Sequence, residues 1–473
     1  MREPHRFLIG GEWRRSDEVL DVRFPYTGET VGRVCLAGSA DIEDALESAE
    51  SGFSVTRRLP AHRRSAILHA LADRIRKRAT DLAETIVLEA GKTRALAEGE
   101  VLRAIQTIEA SAEEARRIDG TILPLDWNPA GEGRIGCIQR FPLGPVLAIT
   151  PFNFPLNIVC HKIGPAIAAG DSIILKPASA TPISALMIGE MVLDAGFPPE
   201  AINVVPCRSE LAERMVQDDR IACLSFTGSP DVGWRLRSIA GRKRVGLELG
   251  GNAAVIVHSD ADLPFAVGRI VAGGFSNAGQ ACISVQRVYI HRPIFEETLA
   301  LLVDRVRALT VGDPREPGID VGPMISEEAA RAASAKVQDA IAKGARAAAG
   351  GTRDGPLFSP TVLLDTTPEM EVNRTEIFAP VVTVTPYETF EEALALVNDS
   401  EYGLQAGLFT HDARLIARAF AELRVGGLVV NDASTFRMDH APYGGVKGSG
   451  IGREGPKYAI EEMTEGRMMV FSP

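Results

Sequence analysis

The chain has 473 residues, 45% of them hydrophobic and 24% charged, with a formal net charge of −11. That length divides into two or three domains, and the acidic balance leaves no basic stripe, so nucleic acid is not an expected partner. No uninterrupted apolar run of about 18 residues occurs, so no membrane span is expected. The opening Met1–Phe7 lacks the apolar core of a secretory signal.

The first residues read as short strands and turns, with Arg6-Phe7-Leu8-Ile9 closed by Gly10-Gly11 and a later turn at Tyr26-Thr27-Gly28. From Asp41 to Arg117 the pattern turns helical: Ala66, Leu68, Leu71 and Ile75 recur at helix spacing. Gly120–Arg134 breaks that pattern with three Gly and two Pro. Beyond Gly144, apolar runs at Val146–Ile149, Ser172–Leu175, Ile202–Val205 and Ala222–Phe226 predict buried strands, separated by helices such as Pro182–Ala195. The fold class that follows is α/β, with a parallel sheet covered on both faces. A second α/β stretch runs from Gly251 to Gly427, with strands near Val285–Ile290 and Val381–Thr385. Ala329–Ala349 is alanine-rich and predicts a solvent-facing helix.

Cysteines stand at 35, 137, 160, 207, 223 and 282, with no C-x-x-C pair and no histidine cluster. Neither a metal site nor a disulfide framework is expected, and a reducing cytoplasm fits best. Five of the six are read as small buried hydrophobes. Cys282 differs, because it sits in the polar, glycine-containing run Asn277–Ser284. Glu248, 34 positions earlier, lies in the apolar run Val245–Gly251. A potential thiol nucleophile and a carboxylate in greasy surroundings are two halves of a covalent mechanism. Two strand ends are candidates for a ligand crevice. Thr227-Gly228-Ser229-Pro230 predicts a glycine turn followed by a helix with Ser229 as N-cap, the geometry that presents backbone N–H groups to a pyrophosphate. Lys176-Pro177 ends another strand, before a second N-cap and Pro at Thr181-Pro182. Taken singly, each of these has a plainer reading: a turn without ligand, and a solvated surface lysine.

Seven runs in order resemble the NAD(P)-dependent aldehyde dehydrogenase superfamily. They are Pro151-Phe152-Asn153-Phe154-Pro155, Lys176-Pro177, Phe226-Thr227-Gly228-Ser229, Leu247–Gly251, Gly279-Gln280-Ala281-Cys282, Glu376-Ile377-Phe378-Ala379-Pro380 and Pro442–Gly450. The resemblance implies a Rossmann-type cofactor domain (1–115 and 140–249), an α/β catalytic domain (250–441) and a small β oligomerisation element (116–139 and 457–473), in a homodimer or homotetramer. It implies Cys282 as nucleophile, Asn153 with the Cys282 N–H as oxyanion donors, and Glu248 as the base that activates water. NAD or NADP would be held by Ile149, Thr150, Pro151, Phe152, Lys176, Ser179, Gly228, Ser229, Val232, Leu249, Gly250, Glu376 and Phe378. A carboxylate three positions after Lys176 would repel a 2′-phosphate; Ser179 stands there, so NADP is tolerated. His161 is given no role and is read as a satisfied structural histidine.

The aldehyde is expected to meet Arg103, Phe154, Ala281, Ile283 and Arg437. Arg437 favours an anionic or strongly polar aldehyde, set against a salt bridge to Asp439 or Asp432 as its plainer reading. The loop Phe436–His440 and the ending Gly452–Met463 look most like the lactaldehyde and glycolaldehyde dehydrogenases, with succinate-semialdehyde and phosphonoacetaldehyde types as neighbours. The lack of arginine before Cys282 counts against the phosphonoacetaldehyde type. Non-phosphorylating glyceraldehyde-3-phosphate oxidation, an acylating enzyme and a non-catalytic scaffold are the rival readings. Glu248 disfavours the acylating one, and the intact set of Cys282, Glu248 and Asn153 disfavours the non-catalytic one.

Overall fold

The structure is a computed structural model and describes residues 3–472. Its first sheet has eight strands, ordered Glu12–Arg14, Phe7–Ile9, Ile202–Val204, Ile173–Lys176, Val146–Ile149, Cys223–Thr227, Arg244–Glu248 and Gly450–Ile451. The inner five are parallel. The chain starts them at Val146–Ile149, moves outward to one side, then returns to fill the other. Strand order therefore reverses between Val146–Ile149 and Cys223–Thr227, and crevices form at the C-terminal ends of strands beside such a reversal. Ile149, Lys176, Thr227 and Glu248 are the residues at those ends.

The second sheet has seven strands, ordered Arg346–Ala349, Thr361–Leu364, Val381–Tyr387, Val285–His291, Ala253–Val257, Gln405–Phe409 and Gly427–Val430. All its pairs are parallel except the first. Only Leu249–Asn252 separates the last strand of the parallel core, Arg244–Glu248, from Ala253–Val257. The two sheets thus meet end to end, C-terminal edge against N-terminal edge. A third, antiparallel sheet joins Thr121–Pro124, Ile135–Pro142 and Thr464–Phe471, and its last strand leaves Met468, Met469, Val470 and Phe471 exposed.

Three local expectations change. The alanine-rich segment is a helix only over Glu327–Ala342; it buries Ala330, Ala333, Val337 and Ala340, and Arg346–Ala349 is a strand. Alanine suits a helix face pressed against a sheet as well as one in water, and Gly344 at φ +107° ends the helix. The helix Ile183–Asp194 has Pro182 as its N-cap, so Thr181 does not cap it. Glu89, from another helix, accepts from the N–H groups of Ile183 and Ser184 instead. Among the cysteines read as buried, Cys137 is only partly so.

Arg287 is a charged residue inside the second sheet, 3% exposed. Its guanidinium donates to the carbonyls of Asn252, Leu396 and Val397 and to the Tyr289 hydroxyl. Leu396 and Val397 lie in the last turn of the helix Phe390–Asn398, whose unpaired carbonyls and dipole attract a cation. Replacing it with an apolar chain strands these acceptors in a dry site. R287M is expected to lose about 3 kcal/mol or more in urea unfolding; an unfolding curve that overlays the wild type would show that the guanidinium bonds contribute nothing.

Candidate active site

Cys282 lies where two cavities meet. The first, of about 510 Å³, is lined by Ile149, Thr150, Pro151, Phe152, Asn153, Lys176, Gly228, Ser229, Val232, Glu248, Leu249, Gly250, Cys282, Glu376 and Phe378, and also by Ser209 and Glu213. The expected cofactor residues are thus gathered in one cleft, with one exception. Ser179 is exposed and does not line it; Ala178 does. The second cavity, of about 420 Å³, opens on the other side of Cys282 and is lined by all five expected substrate residues, Arg103, Phe154, Ala281, Ile283 and Arg437. Lys92, Glu100, Arg269 and Tyr443 line it too.

Close backbone packing places the thiol. A Cβ on Gly251 would lie 2.1 Å from the Cys282 carbonyl oxygen, so only glycine lets these two segments touch. The run before Cys282 turns through three consecutive left-handed residues, Asn277, Ala278 and Gly279, at φ 54°, 53° and 69°. A non-glycine residue there carries strain, and the surrounding bonds hold it. The Asn277 amide donates to the carbonyls of Gln280 and Asn153, while the Gln280 amide donates back to the Asn277 carbonyl. The Asn153 side-chain N–H also donates to the Gln280 carbonyl at 3.1 Å, and its Oδ1 has no partner. The same turn therefore orients both Asn153 and Cys282.

Burial pushes the Cys282 thiol up to about 12, against a hydrogen bond to the Tyr443 hydroxyl at 2.8 Å and the nearby charge of Arg437. Glu248 is 6% exposed, and its Oε2 has no partner. Burial first, then the carboxylate of Glu454, raises it well above the usual range, opposed by Arg437 and Lys162. Such a carboxyl holds its proton more tightly and is a stronger base once ionised. A small void of about 30 Å³, room for one water, touches Glu248, Lys162 and Glu454. Burial works against a charged Glu454, but Lys162, His161 and Arg437 hold it ionised, down to about 2. Glu376 accepts from the Gly251 N–H at 3.0 Å and is pushed up to about 7 by burial. Phe378, at φ 53°, meets Phe152 edge to face at 5.9 Å.

Of the two partners expected for Arg437, Asp439 forms a longer ion pair and Asp432 none, while a nearer partner is one the sequence did not suggest. Arg437 binds Glu454 at 3.1 Å and approaches Asp439 only to 3.8 Å. Asp439 is taken instead by a two-pronged bond from Arg103, at 2.8 and 2.9 Å, and Asp432 by Arg269. Asp439 also bonds His161 Nε2, whose Nδ1 has no partner, so that histidine is only half satisfied. Sequence reasoning missed Tyr443, Lys162, Glu454, Arg269 and the buried Lys92–Glu100 pair. One signal was available: Lys162 is a lone charge in the otherwise apolar stretch Ile158–Ala169 apart from His161. No group of three or more His, Cys, Asp or Glu among the described residues is placed to hold a metal.

Comparison with known proteins agrees with this geometry. The model of the aldehyde dehydrogenase family matches residues 13–469. The 3-sulfolactaldehyde dehydrogenase of Priestia aryabhattai is 44% identical over 471 residues, which is 99% of this chain and 98% of that one. The crystal structure of aldehyde dehydrogenase 21 from Physcomitrella patens, in complex with the reaction product succinate, superimposes with a TM-score of 0.98 at 39% identity, covering 100% of this chain and 99% of that one. The NADP-dependent glyceraldehyde-3-phosphate dehydrogenase of Bacillus halodurans, complexed with NADP, gives 0.97 at 35% identity over 100% of both chains. Matched by the family model over residues 13–469 and by full-length relatives, the chain belongs to the aldehyde dehydrogenase family.

Proposed function

We propose that this enzyme oxidises a short aldehyde bearing one negatively charged group to its carboxylic acid, with NAD or NADP as oxidant. The observation that carries the substrate class is the charged lining of the cavity beyond Cys282. It presents four cations, Lys92, Arg103, Arg269 and Arg437, against one carboxylate, Glu100. The partner carboxylates Asp439, Asp432 and Glu454 do not line it. A single sulfonate or carboxylate suits that field. Arg437 is committed to Glu454 and to the Tyr443 ring, so Arg103 and Arg269, each about a third exposed at the side chain (31% and 39%), are the anchors we assign. Ala281 beside the nucleophile supplies no further cation, which disfavours a phosphorylated substrate. The names of the sulfolactaldehyde enzyme and of the succinate complex point the same way. A neutral lactaldehyde or glycolaldehyde is the second reading, favoured by the resemblance of the loop at Phe436–His440.

The cleft fits a dinucleotide. Lys176 makes no ion pair or side-chain hydrogen bond among the described residues, and Gly228-Ser229 precedes the helix Pro230–Ile239, whose free N–H groups suit a pyrophosphate. Glu376 and Phe378 would hold the nicotinamide end. When bound, the dinucleotide supplies a hydride acceptor. In this reading the Cys282 sulfur bonds to the aldehyde carbon and the carbonyl electron pair moves to oxygen, where the Cys282 N–H and the Asn153 amide receive it. After oxidation, Glu248 takes a proton from water, which attacks the thioester and frees the acid. A water in the void beside Lys162 and Glu454 would be placed to take that proton from Glu248. The NADP complex of the Bacillus halodurans relative supports NADP as an acceptable oxidant.

Two outcomes test this reading. Among short aldehydes, those with a sulfonate or carboxylate should give the highest kcat/KM, read as formation of the reduced dinucleotide. R103Q should lower that value about 10- to 100-fold for anionic substrates, the worth of one charge-assisted bond, while leaving a neutral hydroxyaldehyde within about threefold. Preference for a neutral long-chain aldehyde would overturn the substrate class. The second outcome concerns pH. Glu248 must be ionised to act as base and is held protonated well above the ordinary carboxylate range, so thioester hydrolysis should rise with pH through a midpoint far above 4.5. A hydrolysis rate already flat from acidic pH upward would contradict the assignment.

A further inference from the structure

The Tyr443 hydroxyl stands 2.8 Å from the Cys282 sulfur, and no other hydrogen-bond partner is seen for either atom among the described residues. The ring is fixed by a closed circuit of contacts. The Tyr443 backbone exchanges two hydrogen bonds with Glu454, at 3.1 and 2.6 Å. The Glu454 carboxylate binds Arg437, and the Arg437 guanidinium lies over the Tyr443 ring, 3.7 Å from its centroid. Tyr443 is 5% exposed, so its ring is held inside the protein. The next residue, Gly444, passes so close to Glu248 that a Cβ there would lie 2.7 Å from Oε1. One dipeptide thus touches both the thiol and the carboxylate.

We propose that Tyr443 activates and positions the nucleophile: its hydroxyl donates to the Cys282 sulfur, favours thiolate over thiol, and holds the sulfur toward the substrate cavity. This rests on Cys282 being the nucleophile. Burial and the neighbouring sulfur keep the phenol protonated, since they raise it well above its ordinary value. It is therefore a donor and not a competing base. When the S–H proton leaves for Glu248 or water, the sulfur keeps the electron pair and accepts the phenolic hydrogen. When the S–C bond forms, that pair becomes the bond, and the hydrogen bond weakens as the sulfur loses its charge. Arg437 over the ring acts in the same sense, because a cation on its face polarises the hydroxyl. Tyr443 lines the substrate cavity and not the dinucleotide cleft, so its sulfur contact pulls the nucleophile to the aldehyde side.

The test reads the sulfur directly, without turnover. Alkylation of Cys282 by iodoacetamide, followed by mass spectrometry across a pH series, gives the midpoint for thiolate formation. Y443F removes one oxygen and should raise that midpoint by about one unit, slowing alkylation near neutral pH about 10-fold. NADP affinity, read on the same protein, should be unchanged. Placing 3-fluorotyrosine at position 443 keeps the ring and makes the hydroxyl a stronger donor, so the midpoint should move down. A Y443F profile that overlays the wild type, or shifts in the same direction for both variants, overturns the proposal. Loss of turnover in Y443F with unchanged alkylation also overturns it, because the tyrosine would then only shape the substrate cavity. Full turnover in C282A would refute the nucleophile itself, and the alkylation profiles would remain readable.

Discussion

The site depends on one close approach, the contact of Gly251 with the Cys282 carbonyl at the seam between the two sheets. Glu248 ends a strand of the first sheet, and Ala253 begins one of the second. The crossing between them is too short to leave room for a side chain where Cys282 passes. Next to it, Gly250 faces Glu376, and the Gly251 N–H binds that carboxylate. A few residues of glycine-rich backbone thus bring together groups drawn from both sheets. The strained turn at Asn277–Gly279 belongs to the same arrangement, since Gly279 leaves no space between its Cα and the Ala379 carbonyl. Rigid strands on each side hold that strain, as expected for a site whose geometry must be set before substrate arrives.

Electrostatics divides the region into two halves with different tasks. Glu248, Lys162, Glu454 and Arg437 form a dry cluster in which one carboxylate, Glu454, is held ionised and the other, Glu248, holds its proton. Two acids with such different environments are suited to different roles in the proposed reaction. On the substrate side, the cations are tied to carboxylates set behind the wall, so they remain oriented without collapsing into the cavity. Partly exposed pairs of this kind contribute less to stability than to geometry. Arg437 belongs to both halves, with its charge on Glu454 and its face on Tyr443.

Much of this was legible in the chain itself. Four of the five parallel strands of the first sheet lie within one residue of their predicted positions, because buried β runs bounded by glycine and proline leave little freedom. Cys282, Glu248 and Asn153 come together as their motifs imply. Pairing was not legible. Arg437 and Asp439 are neighbours in sequence, yet Asp439 is claimed by Arg103, 336 positions away. Which carboxylate an arginine reaches is decided by the tertiary fold, and periodicity carries no trace of it. Tyr443 escaped notice for a related reason: its run was read only as one motif of the family resemblance, while its role depends on an atom 161 residues earlier. The helix at Glu327–Ala342 was assigned to solvent because alanine does not distinguish a packed face from an exposed one.

In the proposed mechanism Cys282 carries the acyl group and Glu248 releases it. The most direct measurement is intact-protein mass spectrometry of E248Q mixed with aldehyde and NADP. One acyl adduct on Cys282 is expected, formed with one equivalent of reduced dinucleotide and then lost slowly, as turnover stalls at the thioester. Steady turnover without any adduct, or an adduct on another residue, would contradict it.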